Sequence, residues 1–259
     1  MNYHFLLLAL GLGILGYTHA APPPAPEGYM WVKNAKLTDE FNGTSLDSTK
    51  WLDRHPWWKG RAPAKFVPAA VSLNNGKLQI RNHMLSEPDG EYTIGCGAVV
   101  SKEPVAFYGY YEVSMKASKS VLSSTFWFSN RSKKVNGASV SHELDVVETV
   151  GGAKAPPAWA ASWRRTMNSN THYSHRSNGK KDSPTTPKSV EVDPPVADAY
   201  HTYAAWWVDA NTVRFYLNDK YVYTLNPSTK YSDKPFDRPM QMNLVTETYD
   251  WQPPPPPVI

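Results

Sequence analysis

Short strand-forming runs separated by tight turns constrain this chain more than any other feature. Between residues 201 and 225, three runs rich in aromatic and β-branched residues follow one another: 201–208, Thr212–Leu217 and Lys220–Leu225. Asp209-Ala210-Asn211 and Asn218-Asp219 join them. Connections that short return each strand antiparallel to its neighbour, so the three form a meander. Upstream, Val71–Leu73 and residues 77–80 flank Asn75-Gly76. That pair tolerates positive φ at both positions and closes a two-residue hairpin. Residues 110–117 alternate Tyr111, Val113 and Met115 with Glu112, Ser114 and Lys116, the pattern of a half-buried strand. Long amphipathic helical patterns are lacking. Many short strands in one domain predict an all-β fold, a two-sheet antiparallel β-sandwich of the jelly-roll type. Residues 151–157 and 174–195 are polar or rich in Gly and Pro, and read as loops.

The core must hold without covalent help. Cys96 is the only cysteine in 259 residues, which excludes an intrachain disulfide and a paired-cysteine metal site. Between Gly95 and Gly97 it reads as a buried thiol. Residues 1–20 have the pattern of a secretory signal: an apolar stretch too short to span a bilayer, then the small-residue site Thr18-His19-Ala20. A Pro-rich spacer follows at residues 21–28, a globular domain at 29–252, and a Pro-rich tail at 253–259. The expected product is a secreted, extracellular monomer. No later segment is apolar enough for a membrane helix, so no membrane partner is expected. The net charge of +4 is dispersed and gives no nucleic-acid footprint. Ten tryptophans point either to core or to flat faces on which sugars stack.

The run Ser141-His142-Glu143-Leu144-Asp145-Val146-Val147-Glu148-Thr149 carries three acids in six residues. Strict alternation puts Glu143 and Asp145 on one face and Glu148 on the other. A β-bulge would return Glu148 to the acidic face and turn Val147 away. Three convergent carboxylates repel one another and cost stability, so a use for them is expected. Glycoside hydrolysis needs two carboxyl groups flanking the scissile bond. A hard cation such as calcium would take the same three acids, and a solvated strand edge would need no use at all.

The acidic run resembles the bulged E-x-D-x-x-E signature of glycoside hydrolase family 16. Three further stretches carry the likeness. His55-Pro56-Trp57-Trp58-Lys59-Gly60-Arg61-Ala62-Pro63-Ala64-Lys65-Phe66 is similar to the H-P-x-W-x-G-R-x-P-x-x-F region of agarases and porphyranases. Asn170-Thr171-His172 and Thr246-Glu247-Thr248 with Trp251 are similar to the family's N-T-H and T-E-x-x-x-W segments. The resemblance implies a jelly roll with an open substrate cleft and retaining cleavage of β-1,4 bonds within a red-algal galactan, agarose or porphyran. It implies Glu143 as nucleophile, Glu148 as acid/base and Asp145 as the group that holds their charge pattern. Retention would put the two glutamates ~5–5.5 Å apart. Trp58, Arg61, Trp127, His172, Glu247 and Trp251 fall at substrate-binding positions. Trp57 is as suited to packing as to stacking, and Trp163, Trp206 and Trp207 read as core or sheet face. Catalysis implies no cofactor, and no metal ligands are assigned. Family members usually close with one more strand and have a structural calcium; here Pro253 to Pro257 occupy that strand's place, so calcium is not counted on. A non-catalytic galactan-binding lectin on the same fold is the alternative.

Overall fold

The computed structural model describes residues 22–154 and 158–254. The signal segment 1–20, part of the 151–157 loop and most of the Pro-rich tail lie outside the described residues. Among the described residues strands dominate, and helix is confined to the short 3-10 turns Pro68–Ala70 and Ala158–Arg165. The largest sheet runs, in spatial order, through Trp51–Leu52, Ala98–Ser101, Gln241–Val245, Ser124–Ser129, Ala138–Thr149, Thr166–Ser177 and Lys180–Asp182. Against it lies a second sheet made of the predicted meander, His201–Asp209, Thr212–Leu217 and Lys220–Leu225, flanked by Gly109–Met115. The two pack face to face as the expected antiparallel jelly-roll sandwich.

Alternation decides what lies between them. Phe126, Phe128, Leu144, Met167 and Leu244 of the large sheet meet Tyr203, Trp207, Val213 and Phe215 of the outer one in a single apolar cluster. Trp206, one residue off in parity, points outward and carries Arg214 over its ring at 4.9 Å. The Asn75-Gly76 hairpin forms as predicted, with φ of 51° and 66° and reciprocal backbone bonds between Asn74 and Lys77. Cys96 is a buried free thiol whose proton affinity burial pushes up.

The predicted loop at residues 174–195 needs correction. The strand Thr166–Ser177 continues through its beginning, turns at Asn178-Gly179 (φ 49° and 74°) and returns as Lys180–Asp182. Lys188–Glu191 pairs back onto Thr166–Ser169. These strands lie at the sheet's edge, where no apolar face is demanded, so their polar sequence hid them.

Candidate active site

The acidic strand Ala138–Thr149 sits between Ser124–Ser129 and Thr166–Ser177. Its partners shift register inside the acidic run. Asp145 opposes Trp127 and Asn170, whereas Glu148 opposes Thr125 and Asn168. Three steps along the acidic strand therefore match two on each neighbour, which is a bulge. Val146 and Val147 both enter the core, and Glu148 returns to the face of Glu143 and Asp145. Asn168 donates its side-chain amide to the Glu148 carbonyl at 2.9 Å, and Ser169 Oγ donates to the Val146 carbonyl. These bonds satisfy backbone oxygens that the irregular ladder leaves over.

The three acids open into a cleft of about 400 Å³. Its floor follows the pleat: Ser129, Glu143 and His172 stand in one cross-strand row, and Trp127 and Asp145 in the next. Trp58, Arg61 and His55 line one end, and Ser174, Lys181 and Ser183 the other. Gly60 makes the entry of Arg61 possible. At φ +118° a Cβ on it would meet the Ala64 carbonyl at 2.7 Å.

The acids differ in how they hold protons. Burial raises the proton affinity of Asp145 well above the ordinary carboxylate range, and the charges of Glu148 and Glu143 add to it. His172 opposes this by donating to Asp145 Oδ2 at 3.0 Å, with Glu143 Oε1 3.5 Å away. Burial alone would depress the imidazole, but its bond to Asp145 and the three acidic charges outweigh that and carry it up to about 9. Burial also raises Glu143, against the pull of His172, Lys181 and Arg61. Its side chain is still 41% exposed to the cleft, so water tempers that push. Glu148 is raised by burial too, with the Tyr249 hydroxyl holding it down.

Five of the six expected binding residues, Trp58, Arg61, Trp127, His172 and Glu247, line this cleft together with the acids. Arg61 Nε donates to Glu247 Oε2 at 3.1 Å and Nη1 to Asp250 Oδ2 at 3.2 Å, so its fork is held by protein carboxylates. Trp251 is placed differently. It stacks behind Tyr249 at 5.4 Å and 18°, with Trp163 at 4.8 Å, in a neighbouring depression. Trp163 belongs to this group on the 3-10 turn Ala158–Arg165, neither in the core nor on a sheet face. Trp207 is core and Trp206 sheet face, as read. Trp57 is 40% exposed at the cleft mouth, with Arg131 over its ring at 5.1 Å.

His55 and Tyr249 line the cleft as well and were not among the expected site residues. His55 lies parallel to Trp127, 6.1 Å away at 8°, only 6% exposed, with neither ring nitrogen partnered. Burial pushes it down to about 4, so it is neutral near pH 7. Its signal was the first position of the H-P-x-W stretch. Tyr249 donates to Glu148 Oε1 at 2.6 Å from an unassigned position between Glu247 and Trp251.

Among the described residues, one cluster of His, Cys, Asp or Glu side chains has metal-ligand spacing: Glu143, Asp145 and His172, within 4.8 Å of one another. An imidazole suits a hard, oxygen-seeking cation such as calcium poorly. Those residues therefore do not fit the structural calcium of the resemblance.

An antiparallel sandwich whose larger sheet holds crowded carboxylates in an open, aromatic-walled cleft has the build of a polysaccharide-cutting glycoside hydrolase. The family model described as "Beta-porphyranase A-D, GH16 domain" matches residues 31–258. The chain accordingly belongs to glycoside hydrolase family 16, in the group that model defines. It is 46% identical to a β-porphyranase B of Phocaeicola plebeius, over 89% of this chain and 79% of that one. It is likewise 46% identical to a β-porphyranase E of Zobellia galactanivorans, over 90% and 82%. The crystal structure of a β-porphyranase from the human gut bacterium Bacteroides plebeius superposes with a TM-score of 0.83 at 46% identity, covering 89% of this chain and 85% of that one. The chain is thus a glycoside hydrolase. Among the described residues no helix is long and apolar enough to cross a membrane.

Proposed function

We propose that this enzyme is a secreted, retaining endo-β-galactanase that cuts β-1,4 bonds in porphyran. The observation that carries the reading is the bulge, which brings Glu143, Asp145 and Glu148 to one cleft face while two valines take the core face. Glu143 attacks the anomeric carbon as a carboxylate. The carbon–oxygen bond to the leaving sugar breaks as its oxygen takes the proton from Glu148. Water then attacks the glycosyl–Glu143 ester, gives its proton to Glu148, and restores both acids. The surroundings suit the acid: Glu148 is raised by burial and by the charge of Glu143, against the pull of Tyr249, His172 and Arg61, as a general acid requires. Burial raises Glu143 as well, but its side chain is 41% exposed to the cleft, and His172, Lys181 and Arg61 pull it toward the ionised, nucleophilic form. Asp145, pinned by His172, holds the pattern between them. No step calls on a cofactor.

Porphyran is favoured over agarose on two grounds. The relatives at 46% identity are porphyranases, whereas an extracellular agarase of Streptomyces coelicolor is 30% identical. The cleft is also lined by Lys181, whose ammonium suits a sulfated chain. Reducing-end release from porphyran, agarose, κ-carrageenan and laminarin, measured side by side, tests the reading. Cleavage of porphyran first and foremost is expected. Cleavage of laminarin alone would overturn the substrate, and binding without cleavage would favour a lectin. The anomer first released, followed by NMR, separates retention from inversion.

A further inference from the structure

We propose that Tyr249 is a positioning residue for the acid/base: its hydroxyl fixes one oxygen of the Glu148 carboxyl, and so sets both the aim of the proton and the pH at which it is given up. The inference rests on the reading of Glu148 as acid/base. The phenol donates to Glu148 Oε1 at 2.6 Å. That leaves Oε2 as the oxygen able to carry a proton toward a leaving group. The ring is itself immobilised. Trp251 stacks on it at 5.4 Å and 18°, Trp163 meets its edge at 5.7 Å and 69°, and the Arg61 guanidinium lies 5.9 Å from its centre. The backbone before it is tied down as well. Ser123 N donates to the Glu247 carbonyl at 2.8 Å, and Thr248 Oγ1 donates to the Arg61 carbonyl. Tyr249 thereby joins the acid/base to the Arg61–Glu247 ion pair on one side and to the tryptophan group on the other. A rigid donor of this kind need not reorganise as charge develops on Glu148 during proton transfer.

The hydrogen bond also has a sign. It stabilises the ionised form of Glu148, against the burial that destabilises it. Removing the hydroxyl raises the proton affinity of Glu148. Cleavage needs Glu148 protonated, so the basic limb of the pH profile moves to higher pH. The maximum falls, because the carboxyl is no longer aimed.

The test is Tyr249→Phe, which keeps every ring contact. Purified wild-type and variant enzymes are compared on porphyran across pH, and on a 2,4-dinitrophenyl porphyran oligosaccharide whose leaving group needs no proton. On porphyran, kcat/KM is expected to fall about 10- to 100-fold, the scale of a hydrogen bond to a charged group, with the basic limb displaced upward. On the activated substrate kcat/KM should stay within about threefold of wild type, since general-acid help is bypassed there. Equal losses on both substrates with an unmoved limb would reduce Tyr249 to packing and overturn the proposal. So would a variant indistinguishable from wild type. Wild-type enzyme inert on all galactans would instead sink the galactanase reading, and this inference with it. Thermal melting of both proteins checks that the fold is kept, and Trp251→Phe, which leaves the hydroxyl in place, should hold the basic limb where wild type has it.

Discussion

In the outer sheet, Val213 and Phe215 point to the core, and Arg214 between them points to solvent. Arg214 there rests on Trp206, and Tyr110 donates to Glu112 at 2.8 Å. The large sheet follows the same alternation, yet its second face looks into the cleft. Polar and charged groups on that sheet are themselves buried: Thr125, Ser129, Asp145 and Asn243. Both sheets also carry register shifts, at Trp207/Asp209 and Phe215/Tyr216 in the outer one and within Asp145–Glu148 in the large one. Only the shift in the acidic strand changes what a cleft contains. The outer sheet is built for stability throughout, whereas the cleft face surrenders some of it to hold carboxylates close to one another.

The sharpest way to break this contrast is at Glu143. Glu143→Gln should lower kcat/KM on porphyran by at least about 10³-fold, because the nucleophile is lost, while melting shows no loss of stability. Reducing-end kinetics decide it, and a loss below about tenfold would remove Glu143 from the mechanism. The outer sheet should give the reverse result. Phe215, fully buried against Tyr223 at 5.3 Å, should cost about 3–5 kcal/mol on change to Ala, read by urea unfolding. Activity per folded molecule should be unchanged, and a large drop would show that the sheets are not separable in this way.

A third variant addresses the bulge. Deleting Val146 restores strict alternation, and counting from Glu143 then still puts Asp145 and the present Glu148 on the same face. Retained but reduced activity is expected, about 10- to 100-fold below wild type, since the acids keep their side and lose their spacing. Complete loss, on the scale of Glu143→Gln, would mean that the bulge itself sets catalytic geometry.

These contrasts track what could be read in the sequence. The meander and the Asn75-Gly76 hairpin were legible because their determinants are local: turn residues and period-two burial within a few positions. The acidic face was legible through one added assumption, the bulge. Residues 174–195 were misread because an edge hairpin needs no apolar face. Tyr249 escaped, and Trp251 was assigned to the cleft in its stead, for another reason. Tyr249 meets Glu148 across 101 residues, and neither spacing nor parity predicts which of two neighbouring aromatics reaches the acid and which stands behind it.

The smallest effect tests the premise that the cleft carboxylates work against stability. Glu148 is raised above its ordinary value of 4.5 in the folded protein by burial first and by Glu143 as well. Below 4.5 it is protonated in both folded and unfolded chains, and its contribution to stability is fully present. As pH rises through the folded value that contribution is lost, because only the unfolded chain ionises without penalty. Glu148→Gln is neutral throughout, and its side-chain oxygen can still accept from Tyr249. It should therefore melt with wild type at pH 4, and roughly 1–3 °C above it at pH 7. His172 gives the wild type a further loss at higher pH, between its ordinary 6.5 and about 9, as the imidazolium that pairs with Asp145 deprotonates. Melting curves from pH 4 to 9 separate the two windows. A Gln variant that is less stable than wild type at pH 7 would show the carboxylates to be net stabilising, and the two faces of the sandwich would differ in chemistry but not in cost.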